Sequence, residues 1–257
     1  RAARAEGIEV ASDRYPYTAS CTDLDVILPE WAGQGGRAAI LARLSDPSER
    51  AKIRAEMAAA RGEAYWEGVW IGSTRHPDNA EFAGKPIREA AAAWTCQPLD
   101  AFLRFLETDE LFTGGIFFGM SEENMWRILA EPWVMIGSDA SIRSPAGPLS
   151  HDHPHPRAYG TFGRFLRAAL DGRTVPVGEA VRKMTSLPAA WFRLKDRGVI
   201  RAGAFADVAV LDPKTVRDCA TYENPHRFCE GISAVWVNGV LTLCGGRKTG
   251  ASGGRIL

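Results

Sequence analysis

The stretch PWVMIGSDASIRSPAGPLSHDHPHPRAYGTF, residues 132–162, decides the predicted fold. Its short apolar run, residues 134–136, predicts a buried strand, and Asp139 follows that strand closely. In α/β barrels the catalytic side chains lie at the C-terminal ends of such strands. A polar loop with three of the chain's five histidines and four prolines comes next, and a helix is predicted from Tyr159. We therefore interpret the stretch as one βα unit of an enzyme whose loop contributes to a substrate pocket.

The same alternation of strands and helices continues on both sides of this unit. Further strands are predicted at residues 8–12, 69–72 and 116–120, and further helices at residues 37–44, 47–61, 87–94, 99–106, 122–131, 177–184 and 188–194. Such alternation favours parallel strands joined by right-handed crossovers. Only three or four barrel strands can be found, too few for eight. We therefore expect residues 1–197 to be the C-terminal part of a TIM-like (β/α)8 barrel, with a helical insertion at about 33–110.

From Gly198 the chain changes character and favours short β-strands. They are predicted at residues 207–211, 234–237 and 240–243. Asn238-Gly239 separates the last two, which is a strong signal for a two-residue hairpin. We expect residues 198–257 to form part of a small β-sandwich domain.

The overall composition limits the classes of partner and the compartment. Among 257 residues, Lys plus Arg and Asp plus Glu number 31 each, so no net charge attracts nucleic acid or an anionic membrane. No apolar run reaches the length of a membrane span. Five cysteines at irregular spacing fit reduced thiols better than a disulfide framework, which predicts a cytoplasmic protein.

Two positions stand out as candidates for chemistry, each with a structural alternative. Asp139, at a strand end near histidines, can move a proton between water and a leaving group, or it can simply cap the following loop. Tyr15 lies where Pro16 should end the first strand, and it can face a ligand or merely pack.

The histidine-rich segment at residues 151–155 has the composition of a metal site. Its spacing of i, i+2 and i+4 suits alternate positions of a strand, but prolines on both sides of His155 indicate an irregular loop. We favour surface or supporting histidines over metal ligands here, and we predict no metal ligand in this chain.

Several motifs together resemble one enzyme family. GVIRAGAFADVAVLD, residues 198–212, resembles the C-terminal signature of the amidohydrolase superfamily. The narrower resemblance is to the N-acyl-D-amino-acid deacylases, or D-aminoacylases. It rests on DRYPY at 13–17, GSD at 137–139 and HPRAYGTF at 155–162, followed by RKMTSLP at 182–188 and LKDRG at 194–198.

The resemblance implies a zinc-dependent hydrolase that cleaves a small-molecule N-acyl-D-amino acid into a carboxylate and a free D-amino acid. In that family zinc polarises the amide carbonyl and lowers the pKa of a bound water. Asp139 takes the place of the family's proton-transferring carboxylate, and Arg157 that of the residue binding the substrate carboxylate. Tyr15 and His155 belong to the substrate-binding motifs, and Cys21 stands where the family has a small hydroxyl residue.

The chain also departs from the family. The family's metal-binding His and Cys residues precede the DRYPY motif, so their counterparts are not in this sequence. We therefore expect the chain to be the C-terminal half of a deacylase, inactive alone, with zinc held by the full-length parent. Two alternatives stay open: another amidohydrolase, such as a cyclic amidase or a deaminase, or a non-catalytic remnant.

Overall fold

The computed structural model describes residues 1–256 as a mixed α/β protein. Its helices are α1 (Ala2–Ala5), α2 (Gly36–Ser45), α3 (Pro47–Ala60), α4 (Ile87–Ala93), α5 (Pro98–Thr108), α6 (Glu122–Ala130), α7 (Arg157–Leu170), α8 (Val177–Met184) and α9 (Ser186–Trp191). Its strands are β1 (Ser12–Arg14), β2 (Ala19–Asp23), β3 (Val69–Ile71), β4 (Gly114–Phe118), β5 (Val134–Ile136), β6 (Val208–Leu211), β7 (Ile232–Val237), β8 (Val240–Cys244) and β9 (Arg247–Lys248).

Strands β1 and β5 form a short parallel pair, as the alternating pattern predicts. Asp13 pairs with Met135, so the segments that follow the two strands emerge side by side. The prediction of a first strand at 8–12 was wrong by several residues, because pairing with β5 starts only at Ser12. Ile8 and Val10, whose apolar side chains suggested that strand, are exposed.

Strands β2, β4 and β3 form an antiparallel sheet, which corrects the prediction that the strand near residue 116 joins a parallel series. Strand β4 lies in the middle, with Cys21 of β2 and Trp70 of β3 both opposite Ile116. The sequence of β2, ASCTD, is short and consists of small or polar residues, so it gave no strong strand signal.

Helices α2 to α5 pack into a helical unit that covers most of the predicted insertion at 33–110. The predicted start of α3 is confirmed. Asp46 caps the helix by accepting from the backbone N–H groups of Ser48 and Glu49, as its position before Pro47 predicts. The unit packs around an apolar core that also includes residues of β3 and of the segment after β2. The fully buried members from the helices include Leu44, Ile53, Met57, Phe102, Phe105 and Leu106.

A second core surrounds β5. Side chains of α6, α7 and α8 pack there against the strand, with these buried members: Met125, Leu129, Ile136, Phe165 and Ala180. Lys183 of α8 is also fully buried, and its Nζ donates to the carbonyls of Glu131 and Val134 around the start of β5. Pro188, predicted as the first residue of the last helix, is instead the third residue of α9.

The C-terminal strands form an antiparallel sheet in the order β6-β7-β8-β9. The predicted hairpin is confirmed: Asn238 and Gly239 have φ angles of 51° and 81°, the left-handed conformation that the turn requires. The connection between β6 and β7, residues 212–231, does not stay with this sheet. It folds back against α7 and the segment before β2, where it supports the candidate site.

Within residues 1–256, no helix combines the length and the apolar character needed to cross a membrane. All five cysteines are free thiols.

Candidate active site

A cavity of about 310 Å³ opens beside the C-terminal end of β5. It collects four of the five predicted site residues: Cys21, Asp139, His155 and Arg157. The remaining wall comes from the end of β2, the segment after β3, the start of β4 with the turn before it, the loop after β5 and the first turn of α7. Its residues are Thr22, Asp23, Ser73, Phe112, Gly114, Ala140, Ser141, Arg143, His153, Pro154 and Ala158. Tyr15 is not among the residues that line it.

Asp139 stands at the tip of β5, where the strand motif GSD places it. Its φ angle of 47° is in the left-handed region, which aspartate tolerates better than most residues. Gly137 is needed two residues earlier, because any Cβ there would collide with the carboxylate of Asp13 on β1. The Asp139 side chain is 67% exposed, so the carboxylate is open to water and to a ligand in the cavity.

Arg157 begins α7 and reaches the same cavity with a side chain that is only 9% exposed. Its Nη2 atom lies 2.9 Å from Asp139 Oδ2 and donates to the Cys21 carbonyl at 3.4 Å. The guanidinium carbon is 4.5 Å from the ring centroid of Tyr15, a cation–π distance. Tyr15 thus lies behind Arg157 and supports it.

His155 borders the cavity, but both of its ring nitrogens are used by the protein. Nδ1 accepts from the Arg157 backbone N–H at 2.9 Å, so Nε2 carries the proton and donates to the Ala19 carbonyl at 3.0 Å. Burial, followed by the nearby charge of Arg157, lowers the pKa of His155 to about 3. The imidazole is therefore neutral and holds the backbone at the start of α7.

The other histidines near the cavity are also engaged with protein groups. His153 Nε2 lies 2.6 Å from the Tyr222 carbonyl. His226 spans two segments: its Nδ1 is 3.0 Å from the Tyr159 hydroxyl and its Nε2 is 2.7 Å from the Asp152 carbonyl. In the part of the chain that the structure describes, no three His, Cys, Asp or Glu residues form a group suited to a metal ion.

The connection at 212–231 supplies site support that the sequence did not reveal. Asp218 accepts from the Tyr17 hydroxyl at 2.6 Å, and burial together with that carboxylate raises the pKa of Tyr17 well above its usual value. A Cβ at Gly160 of α7 would collide with both groups, which accounts for the glycine in HPRAYGTF. Tyr17 belonged to a quoted motif, whereas nothing in the local sequence marks Asp218, because its partner is 201 residues away.

Comparison with known proteins finds relatives of this chain. A profile described as "Amidohydrolase family" matches residues 127–243. An N-acyl-D-glutamate deacylase of Alcaligenes xylosoxydans xylosoxydans is 37% identical over 239 residues, which is 92% of this chain. A D-aminoacylase of the same organism is 46% identical over 146 residues, 56% of the chain. The chain is therefore similar to N-acyl-D-amino-acid deacylases and carries part of an amidohydrolase profile.

Solved structures of this family share the fold. An N-acyl-D-glutamate deacylase from Bordetella bronchiseptica, complexed with zinc and a phosphonate inhibitor that mimics the tetrahedral intermediate, superposes with a TM-score of 0.69. It is 32% identical, and the match covers 94% of this chain. A D-aminoacylase crystal structure gives a TM-score of 0.67 over 97% of the chain, also at 32% identity.

The chain spans well under half the length of these family members. The matches cover 39% of the N-acyl-D-glutamate deacylase and 28% of the D-aminoacylase from Alcaligenes, and 41% and 43% of the two solved chains. Asp139, His155 and Arg157 lie within the residues that the amidohydrolase profile matches, 127–243.

Proposed function

We propose that the protein hydrolyses the amide bond of N-acyl-D-amino acids, and that this chain carries the proton-transfer carboxylate and the site for the substrate carboxylate. The observation that carries the proposal is the pairing of Asp139 with Arg157 in one cavity, at 2.9 Å. The names of the relatives all specify N-acyl-D-amino acids or D-aminoacylase activity, which supports the substrate class.

Asp139 is proposed to move the proton of the reaction. It takes a proton from water as the water oxygen bonds to the amide carbon, and it gives that proton to the nitrogen as the C–N bond breaks. Its position at a strand end and its open carboxylate support this role. The products are then a free carboxylate and a free D-amino acid.

Arg157 is proposed to bind the carboxylate of the substrate. A guanidinium group can donate two parallel hydrogen bonds to a carboxylate, and the Arg157 side chain is already fixed by its contacts with Tyr15 and the Cys21 carbonyl. We propose that Tyr15 and His155 contribute to binding by holding Arg157, and that Cys21 forms part of the cavity wall.

We extend the finer architecture of the family to this protein as a proposal. The β1–β5 pair and its helices would belong to a (β/α)8 barrel within residues 1–197, with the helical insertion at about 33–110, and residues 198–257 would be part of a small β-sandwich domain. A cytoplasmic location is proposed from the five free cysteines.

Zinc dependence is a further part of the proposal, since a relative's structure contains zinc beside its inhibitor. The residues described here do not fit a zinc site, because no suitable group of ligands exists among residues 1–256 and His155 uses both ring nitrogens within the protein. Any zinc would be held by residues outside this chain. The steps assigned above therefore use only Asp139 and Arg157.

The decisive experiment measures ligand binding and hydrolysis separately. Binding of N-acetyl-D-methionine and its L enantiomer to the chain is measured by ligand-detected NMR titration, and amine release is assayed with and without zinc. We expect the D enantiomer to bind, and binding to weaken at least tenfold in Arg157→Ala. In any preparation that turns over, Asp139→Asn should lower kcat by about a hundred- to ten-thousand-fold.

A matched control keeps the result specific. Asp78→Asn removes a carboxylate that is 81% exposed and lies outside the cavity, so binding and turnover should be unchanged. Equal affinity for both enantiomers, or an affinity that is unchanged in Arg157→Ala, would contradict the proposed function.

A further inference from the structure

The turn after α5, the last helix of the helical unit, contributes one large apolar side chain to the cavity, and neither the motifs nor the proposed chemistry account for it. Phe112 follows α5, precedes β4 and lines the cavity that also holds Asp139 and Arg157. Its side chain stays 37% exposed. A large aromatic side chain that is left partly open in a cavity suits contact with an apolar group of a ligand.

The backbone that presents Phe112 is in a costly conformation. Glu110 and Leu111, the two residues before it, have φ angles of 50° and 67°, in the left-handed region that non-glycine residues rarely adopt. The turn is closed by backbone bonds from Leu111 to the Leu106 carbonyl and from Phe112 to the Asp109 carbonyl. Such strain persists only where surrounding contacts hold it, and it is common at ligand sites.

Asp109 is the group that holds this turn. It is 3% exposed, and its carboxylate accepts four hydrogen bonds. The donors are the Thr113 hydroxyl at 2.6 Å, the His76 backbone N–H at 2.7 Å, the Asn79 side-chain amide at 2.9 Å and the Arg75 backbone N–H at 3.3 Å. The residues on both sides of Phe112 and the loop at 75–79 are therefore fixed to one buried carboxylate.

Two arginines fix the ring itself. The guanidinium carbons of Arg37 and Arg75 lie 3.9 Å and 3.3 Å from the ring centroid of Phe112. Two guanidinium groups at these distances do not fit on the same face, so they cover opposite faces of the ring. The free part of Phe112 is its edge, and the ring is held in place before any ligand arrives.

We propose that Phe112 is a specificity-determining residue whose ring edge contacts the apolar group of the substrate. This inference rests on the proposed function, because the substrate is taken to be an N-acyl-D-amino acid anchored by Arg157. The apolar group can come from the acyl chain or from the amino-acid side chain. The helical unit would then serve as the part of the fold that selects among substrates.

The test compares two ligand series on the whole chain by NMR titration. One series lengthens the side chain, from N-acetyl-D-alanine to N-acetyl-D-leucine, and the other lengthens the acyl group, from N-acetyl-D-alanine to N-pentanoyl-D-alanine. Each extension adds three carbons, and partial burial of them should tighten binding by about tenfold. In Phe112→Ala the increase in affinity from the added carbons should fall below about threefold in whichever series places those carbons against the ring.

Two further variants guard against an unfolded mutant. Phe112→Leu keeps an apolar side chain and should retain part of the gain. Phe192→Ala removes an aromatic ring that is 65% exposed outside the cavity and should keep the whole gain. Thermal unfolding of each variant confirms that it is folded.

The outcomes separate this inference from the proposed function. A gain lost only in the side-chain series, only in the acyl series, or in both supports the inference and identifies the source of the apolar group. A gain that survives Phe112→Ala in both series overturns it, even if Arg157→Ala weakens every ligand as the proposed function requires. Absence of binding by the unmodified chain overturns both.

Discussion

Arg157 Nη2 and Asp139 Oδ2 lie 2.9 Å apart, so the two groups proposed to act on the substrate bind each other in the cavity. One partner is almost buried, with 9% of its side chain exposed, while the other is 67% exposed. The guanidinium is thus the fixed member of the pair and the carboxylate is the one free to move. A substrate carboxylate has to compete with Asp139 for Arg157, and once it succeeds Asp139 is released for proton transfer.

This competition predicts that Asp139→Asn tightens ligand binding although it impairs turnover. Removal of the negative charge frees Arg157. Because the Asp139 carboxylate is exposed, we take the pair to contribute about 0.2–1 kcal/mol, as ion pairs open to solvent do. Affinity for N-acetyl-D-methionine should therefore rise by about 1.4- to fivefold, measured by NMR titration at low salt. Asp78→Asn serves as the control and should change nothing. Weaker binding by Asp139→Asn would show that the pair does not compete with the ligand.

A second prediction concerns His155 and acid. Its pKa is lowered to about 3 in the folded chain, against about 6.5 in the unfolded chain, so the unfolded state binds more protons between these values. The stability from the neutral imidazole is complete above pH 6.5 and is lost as the pH falls toward 3. Between pH 7 and pH 4 the loss should be on the order of 3 kcal/mol.

Urea unfolding at several pH values measures this effect, with His155→Asn as the comparison. Asparagine can still accept from the Arg157 backbone N–H but does not titrate, so its stability should depend less on pH over the same window. Identical pH profiles for the two proteins would refute the role assigned to the neutral imidazole. Other groups that titrate in acid contribute equally to both profiles and cancel in the comparison.

Local physical chemistry accounts for the parts that the sequence predicted well. The cap at Asp46, the helix at 177–184 and the hairpin at Asn238-Gly239 each depend on residues within a few positions of one another. The same is true of Asp139, because it follows β5 by only three residues and therefore lies at the end of that strand. Arg157 and Cys21 were assigned through motifs, and the structure brings both to that cavity.

The missed features all depend on distant residues. Strand β2 is polar and becomes a strand only because β4 pairs with it, and Asp218 matters only because Tyr17 reaches it from the other end of the chain. In the sequence, Phe112 belongs to no motif and lies between a predicted helix and a predicted strand. Its place in the cavity is fixed by Asp109 and by two arginines, none of which forms a recognisable motif.

The buried Lys183 gives a prediction about stability. Its Nζ donates to the Val134 carbonyl at 2.8 Å and to the Glu131 carbonyl, and no solvent reaches it. Lys183→Met keeps similar volume but leaves these carbonyls without their donor, which should lower the free energy of unfolding by about 1–3 kcal/mol. Chemical denaturation measures it, and Lys195→Met, at an exposed lysine, should stay within about 0.5 kcal/mol. Equal stability of the two variants would contradict this role.

The last prediction tests what Arg157 recognises. If it binds the substrate carboxylate, free acids should bind better than the corresponding carboxamides, because a carboxamide lacks the charge and the second acceptor. Arg157→Ala should weaken free acids at least tenfold and carboxamides little, which removes the preference. Arg157→Lys keeps a positive charge but loses the planar pair of donors, so it should restore only part of that preference.

Both ligands, N-acetyl-D-methionine and its carboxamide, are titrated against the three proteins under the same conditions. Arg164→Ala is the matched control: that arginine also packs on a tyrosine ring, Tyr17 at 4.8 Å, but it does not line the cavity. It should leave the preference for the free acid intact. If Arg157→Ala still discriminates against the carboxamide as strongly as the unmodified chain, another group binds the carboxylate, and the pairing of Arg157 with Asp139 has no part in recognition.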